Sequence, residues 1–281
     1  MSAGLPASGP VRLRIVPARA GLRWVSAGIR TFLRQPLGFG VLLTMFLLLT
    51  PLLAMLPVLG TVAVLALLPA LTLGMMAAAR DAAAGARVHP ATLFAGLRGP
   101  QRGSMLTLGG IYAAAFLVAV ACTAAVDGGD FARAYLLGTP VPRETMQSDG
   151  FLGAMWVVLA LWMPLSLLFW HSPALVHWHG VPPVKSMFFS AVACFRNLGA
   201  FTLFGLAWAG VFAVGSVALA LVGVLLASLG LVSESPMGAA LLSGLVAGGA
   251  LVMMAMFFAS LWATFQDCFE QAGPASDAPQ R

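Results

Sequence analysis

The stretch PLGFGVLLTMFLLLTPLLAMLPVLGTVAVLALLPALTLGMMAAA, residues 36–79, contains no charged residue. A helix needs about 20 apolar residues to cross roughly 30 Å of hydrocarbon, so this stretch is long enough for two crossings. The segment MLPVLG in its middle, residues 55–60, carries a proline and a glycine, which are typical of a tight reversal. The stretch therefore predicts a hairpin of two antiparallel membrane helices.

The composition of the whole chain extends this interpretation. Of its 281 residues 60% are hydrophobic and 9% are charged, whereas soluble domains are about half apolar and about a quarter charged. We expect an all-α membrane protein with a disordered N-terminal tail over residues 1–17, a membrane domain over residues 18–270 and a C-terminal tail over residues 271–281. Six transmembrane helices are predicted, at about residues 37–56, 58–79, 104–126, 151–170, 201–229 and 237–265.

The distribution of basic residues predicts the orientation of these helices. Lys and Arg number 15 against 9 acidic residues, and loops rich in Lys and Arg stay in the cytoplasm. Six basic residues precede the first span, four lie between the second and third, two between the fourth and fifth, and one in the tail, which makes 13 of the 15. Only Arg133 and Arg143 lie on the other side. Both termini are therefore predicted to be cytoplasmic, in a bacterial inner membrane.

The same distribution argues against a nucleic-acid partner. The basic residues flank helix ends, where the positive-inside rule already requires them, and no nucleic-acid-binding motif accompanies them. Such residues attract anionic lipid headgroups. Membrane lipid is the expected partner, together with a second copy of the chain or another protein.

Three short motifs suggest an internal repeat. AGIRTFLR, residues 27–34, recurs as AGLRGPQR, residues 95–102, and more weakly as ACFR, residues 193–196. Each precedes a membrane span, which predicts three repeats of an interfacial amphipathic helix followed by a two-span hairpin. The alternative is a chance match, because Ala, Leu and Gly dominate the chain. The residues predicted to anchor the spans at the interface are Arg30, Arg34, Arg98, Arg102 and Arg196, with Trp170 and Trp178 as an aromatic belt.

The stretch FWHSPALVHWHG, residues 169–180, has the composition of a metal or haem site. Because the fourth span is predicted to end at residue 170, its histidines should lie at the headgroup level and anchor the helix end. The alternative is a metal site, since His177 and His179 would point to one side of an extended backbone and imidazole binds several transition metals. We expect no haem or other cofactor, because no imidazole lies at membrane depth. The candidate metal ligands are His89, His171, His177 and His179.

A further motif concerns helix packing. Gly244 and Gly248 form a GxxxG pattern, which allows two membrane helices to approach closely. The pattern is compatible with packing inside one chain or with the pairing of two chains.

The functional prediction is an integral inner-membrane protein that is not an enzyme and acts through partner or lipid association. No Asp, Glu, Lys, Arg or His lies within the predicted spans, and no nucleophile or phosphate-loop spacing is present. The first alternative is a carrier for an uncharged or amphipathic molecule, which requires only a cavity. The second is the histidine metal site on the cytoplasmic face.

Three segments resemble a family of uncharacterised multi-pass inner-membrane proteins of betaproteobacteria. They are MLPVLG, LLPALTLGMMAAARDAAAG at residues 67–85 and FWHSPALVHWHGVPPVKSMFFSAVACFRN at residues 169–197. The resemblance covers about residues 24–265. It implies the membrane location and the number of spans, and it carries no catalytic residue.

Overall fold

The computed structural model describes residues 11–56, 58–232 and 235–270. Within them six helices are long and apolar enough to cross a membrane, which confirms the predicted all-α membrane fold. The α-helices are α1 (Ala20–Arg34), α2 (Pro36–Ala54), α3 (Leu59–Ala83), α4 (Arg102–Asp127), α5 (Asp130–Leu137), α6 (Arg143–Met146), α7 (Asp149–Phe169), α8 (Ser172–His179), α9 (Pro183–Arg196), α10 (Leu198–Ser228) and α11 (Pro236–Cys268), and a 3₁₀ helix spans Pro90–Leu97.

The spans are α2, α3, α4, α7 with α8, α10 and α11. Their bounds lie within a few residues of the predicted ones, apart from α8, which continues the fourth span to His179. At a rise of 1.5 Å per residue, the 33 residues of α11 extend over about 50 Å. Since the hydrocarbon core is about 30 Å thick, α11 must tilt or extend beyond it.

Helix α3 is the centre of the bundle. It packs against α4, the 3₁₀ helix, α2 and α11. In an apolar stretch of 18 residues, 61% of the residues of α3 are buried, against 6% in the corresponding stretches of α10 and α11. Two glycines bring the backbones together, because a Cβ at Gly74 would overlap the carbonyl of Leu93 and one at Gly109 would overlap the carbonyl of Ala66. Small residues allow such close approach between membrane helices.

Helix α1 is amphipathic, and its apolar face packs onto the bundle. Gly21 lies against the backbone of α10, and Gly28 lies against the backbone of α11. Between them the Trp24 ring, 1% exposed, contacts Phe201 and Phe204 at centroid distances of 5.2 and 6.0 Å. The helix therefore joins α10 and α11 in addition to any role at the interface.

The prediction of a disordered tail is wrong for residues 11–17. Strand β1 (Arg12–Leu13) pairs antiparallel with β2 (Phe269–Glu270) at the end of α11. The side chain of Asn197 accepts a hydrogen bond of 2.8 Å from the Val16 N–H. Backbone and side-chain hydrogen bonds thus hold this segment in place. The sequence did not indicate this order, because the partners come from distant parts of the chain. Residues 1–10 and 271–281 lie outside the described part.

The structure does not show the predicted repeat. AGIRTFLR lies entirely within α1, whereas AGLRGPQR covers the end of the 3₁₀ helix and the following turn. Arg98 accordingly has an extended backbone, with φ −114° and ψ 150°. The two motifs share residues but have different conformations.

Candidate functional sites at the two ends of the bundle

The two ends of the bundle differ in charge. One end contains α1, residues 84–101, α8 and α9, together with 12 of the 14 Lys and Arg residues in the described part of the chain. We call it the basic end. The opposite end contains residues 128–148, with Arg133 and Arg143. A cavity lies near each end.

The cavity towards the opposite end has a volume of about 690 Å³ and lies between α3, α4, α5 and α7. Its lining is apolar apart from the hydroxyls of two tyrosines and the indole nitrogens of two tryptophans. We call it the aromatic groove. It is lined by Leu65, Leu68, Tyr112, Phe116, Phe131, Tyr135, Leu152, Met155, Trp156, Val158, Leu159 and Trp162.

A short connecting helix forms one wall of the aromatic groove. Gly128 and Gly129 have φ values of 66° and 94°, which glycine adopts without strain, and they turn the chain after α4. The carboxylate of Asp127 accepts hydrogen bonds from the N–H groups of Gly129 (2.8 Å) and Phe131 (2.6 Å), which fixes the start of α5. From this start, α5 packs against the membrane helices α4 and α7.

Ring contacts hold α5 in this position. Phe131 lies 5.7 Å from Phe151 of α7, and Tyr135 lies 5.6 Å from Phe116 of α4, measured between centroids. Burial raises the pKa of Tyr135, and the nearby Tyr112 raises it further. The Tyr135 hydroxyl therefore stays protonated and is able to donate a hydrogen bond inside the groove. Sequence reasoning missed this site, although Tyr112 and Phe116 show its signal as aromatic residues four apart on one helix face.

The cavity at the basic end has a volume of about 300 Å³ and contrasts with the aromatic groove in its polar lining. The Arg80 guanidinium lies 5.2 Å from the centroid of the Trp178 ring, and its Nη2 lies 3.1 Å from Oδ1 of Asp81. We call this the polar cavity. It is lined by Ala77, Arg80, Asp81, Ala91, Thr92, Ala95, Arg98 and His177.

His171 is enclosed by the protein, and its predicted depth at the headgroup level stays a prediction. Its side chain is fully buried, with Phe201, Phe265 and Phe269 at centroid distances of 5.8, 5.8 and 5.3 Å. Neither ring nitrogen has a hydrogen-bond partner among the described residues. Residues of α9, α10, α11 and β2 surround it, so its ring is not available as an exposed anchor of the helix end.

The other histidines do not form the predicted metal geometry. His177 and His179 belong to α8, so they project about 160° apart, and the extended backbone expected there is wrong. His89 instead caps the 3₁₀ helix, where its Nδ1 accepts a hydrogen bond of 3.1 Å from the Ala91 N–H. Within residues 11–56, 58–232 and 235–270 no group of three His, Cys, Asp or Glu side chains has the spacing to hold a metal.

The two predicted belt tryptophans are half-buried in the protein. The Trp170 Nε1–H donates a hydrogen bond of 3.2 Å to Oγ1 of Thr264. The Trp178 ring lies 5.0 Å from Trp262 and 5.3 Å from Phe265. Both rings therefore contribute to the core at the basic end, and their place in an interfacial aromatic belt stays a prediction.

The five predicted anchoring arginines are all exposed at the basic end. Arg34 also donates a hydrogen bond of 3.3 Å to the carbonyl of Ala83, at the end of α3. Arg30 lies near the end of α1, Arg102 begins α4 and Arg196 ends α9. Their action on the membrane interface stays a prediction.

The GxxxG motif does not join helices within the chain. A Cβ added at Gly244 or Gly248 would meet no atom within 4 Å. Neither glycine therefore makes a close helix contact in the described part of the chain, although Gly248 lines a cavity between α2 and α11. The pairing of two chains through this motif stays a prediction.

Together these features define a polytopic, helical integral membrane protein. The chain is 37% identical over 268 residues to a probable inner membrane protein of Burkholderia thailandensis. The matched region covers 93% of this chain and 95% of that protein. It belongs to the same family of inner-membrane proteins, as the three segments of the sequence predicted. No protein-family model matches the sequence. No solved structure matches it.

Proposed function

We propose that this protein is a non-enzymatic inner-membrane protein that binds the apolar chain of a membrane lipid in the aromatic groove. The observation that carries the proposal is the size and lining of the groove, about 690 Å³ with almost entirely apolar and aromatic walls. Binding sites for small molecules have volumes of about 300–1,000 Å³ and combine apolar walls with a few polar groups. The hydroxyls of Tyr112 and Tyr135 are such groups.

The exposure of the lining supports a lipid as the occupant. Trp156 is 70% exposed and Met155 is 47% exposed, both on the membrane-spanning helix α7. A molecule that enters past them comes from the bilayer, where acyl chains are the abundant apolar groups. Among the described residues that line the groove none is charged, so these residues offer no ion pair to a charged solute.

The charge asymmetry supports an orientation with the basic end in the cytoplasm. Positively charged segments beside short spans are retained there. The aromatic groove extends from α5 at the opposite end to the middle of α4 and α7, where Tyr112 and Trp162 lie. In this orientation its ligand is a lipid of the periplasmic leaflet.

The test compares two leucines on α7 with almost equal exposure. Leu159, 43% exposed, lines the groove, whereas Leu161, 40% exposed, does not. Each is replaced with tryptophan, and the full-length protein in bilayer nanodiscs is labelled with a phospholipid that carries a photoreactive diazirine in its acyl chain. Leu159→Trp fills the groove and should reduce labelling of α4 and α5 peptides severalfold, while Leu161→Trp leaves it unchanged. Equal labelling of the two variants contradicts the proposal.

A second measurement distinguishes a carrier of amphipathic molecules from a protein that only binds lipid. The wild-type protein is reconstituted into liposomes, and the transfer of a fluorescent phospholipid between leaflets is followed. A binding protein leaves the rate at that of protein-free liposomes. An accelerated rate that Leu159→Trp abolishes would establish a carrier that uses the same groove.

A further inference from the structure

The polar cavity contains cationic and hydrogen-bonding groups that the protein leaves unused. Arg98 lines the cavity, and its guanidinium makes no ion pair or hydrogen bond with the described residues. It extends from the turn after the 3₁₀ helix, whereas His177 reaches the cavity from α8. The turn that carries Arg98 and helix α8 are far apart in the sequence, and both place unpaired hydrogen-bonding groups in the polar cavity.

His177 is the second of these groups. No hydrogen bond joins either of its ring nitrogens to the described part of the chain, and protein atoms cover Nδ1 completely. Nε2 is then the ring nitrogen able to reach the cavity. A polar atom in a partly buried position is stabilised when it gains a partner. The imidazole therefore favours a ligand with a hydrogen-bonding oxygen.

The charges around the cavity select the sign of that ligand. Among the described residues of the lining, Arg80 and Arg98 are cationic and Asp81 is acidic. Arg80 is held by two contacts to the same carboxylate oxygen, at 3.1 and 3.2 Å, which offsets one positive charge with one negative charge. The cavity therefore retains a formal surplus of one positive charge.

We propose that the polar cavity is a binding site for a phosphate group with one negative charge, contacted by Arg98 and His177. The planar guanidinium matches two phosphate oxygens at once. A cavity of about 300 Å³ admits a phosphate with a small substituent. The group comes either from a lipid phosphodiester at the surface of the bilayer or from free phosphate in solution. This site does not depend on the aromatic groove, which lies in the other half of the bundle.

The experiment measures binding to the full-length protein in a maltoside detergent, which contains no phosphate. Dihexanoyl phosphatidylglycerol and inorganic phosphate are titrated in separate calorimetric runs, with dihexanoylglycerol as the probe that lacks phosphate. We expect a phosphate-bearing probe to bind and dihexanoylglycerol not to bind. Binding of phosphatidylglycerol alone identifies a lipid site, and binding of inorganic phosphate, alone or as well, identifies a site for the free anion. Absence of binding by both phosphate probes overturns the proposal.

Three variants tie the binding to the cavity. Arg98→Gln and His177→Gln should each raise the Kd about tenfold, since a hydrogen bond to a charged group contributes about 1.5 kcal/mol or more. Arg102→Gln is the matched control, because Arg102 is an exposed arginine four residues further along the chain, at the start of α4, and does not line the cavity. An equal loss in Arg98→Gln and Arg102→Gln overturns the proposal in favour of general attraction to basic residues. Elution as a single peak in size exclusion verifies that each variant is folded.

Discussion

The indole N–H of Trp24 donates a hydrogen bond of 2.8 Å to Oδ2 of Asp267, although 243 positions separate the two residues in the chain. Nη2 of Arg23 lies 3.7 Å from the same carboxylate oxygen. The bond connects α1 to the last turn of α11, and Trp24 is almost fully buried beside it. The contact therefore contributes to the attachment of α1 to the membrane helices.

Replacement of Trp24 with phenylalanine should lower the free energy of unfolding by about 2–3 kcal/mol. The variant loses a hydrogen bond to a charged group, worth about 1.5–3 kcal/mol, and part of a buried ring. Reversible unfolding in mixed micelles measures the change. Trp156→Phe is the control, because Trp156 is 70% exposed and should cost less than about 0.5 kcal/mol. Equal losses in the two variants would show that the Asp267 bond does not stabilise the fold.

Two adjacent glycines on α4 give a sharp test of the contact with α3. Gly109→Ala places a methyl group against the carbonyl of Ala66 and should destabilise the protein by about 1–3 kcal/mol, because backbone cannot move aside cheaply. Gly110→Ala meets open space and should be neutral or slightly stabilising, since alanine favours helix. Thermal unfolding of both variants measures the difference. Similar melting temperatures would mean that α3 and α4 do not approach as closely as described.

Two substitutions of His171 are expected to affect the free energy of unfolding differently. His171→Leu removes ring nitrogens that have no partner among the described residues and keeps most of the volume, so it should leave stability unchanged or raise it by about 1 kcal/mol. His171→Ala creates a cavity between aromatic rings and should cost about 2–4 kcal/mol. Unfolding of both variants in detergent is compared. A loss for His171→Leu as large as that for His171→Ala would indicate that the imidazole nitrogens bind something.

The orientation of the chain is tested by reporter fusions. Alkaline phosphatase, active only in the periplasm, should be active when fused after Gly138, which follows α5 at the opposite end. A fluorescent protein that folds only in the cytoplasm should fluoresce when fused after Arg281. The physical reason is the concentration of Lys and Arg at the basic end. Phosphatase activity at Arg281 would refute the proposed orientation.

The glycines of this chain show why helix packing was harder to predict than the membrane spans. Gly244 and Gly248 match the GxxxG pattern and meet no other helix, whereas Gly74 and Gly109 form backbone contacts. Ala66, Ala70, Gly74 and Ala78 recur every four residues along α3 and carried a usable signal. Glycine and alanine are so frequent in this chain that a pattern alone does not tell which helix face has a neighbour.

The membrane class, the six spans and the charge difference between the two ends follow from the amino-acid sequence. These properties depend on the length of apolar runs and on charges next to them, which are local features. Three features became visible only in the folded chain: α1 packs onto α10 and α11, Arg12–Leu13 pairs with the strand after α11, and His171 is buried. The tertiary structure also decided which side chains meet in the aromatic groove and the polar cavity. Each of these features depends on contacts between residues far apart in the chain. The free energy of such contacts depends on how whole helices pack, and a local sequence pattern does not contain that information.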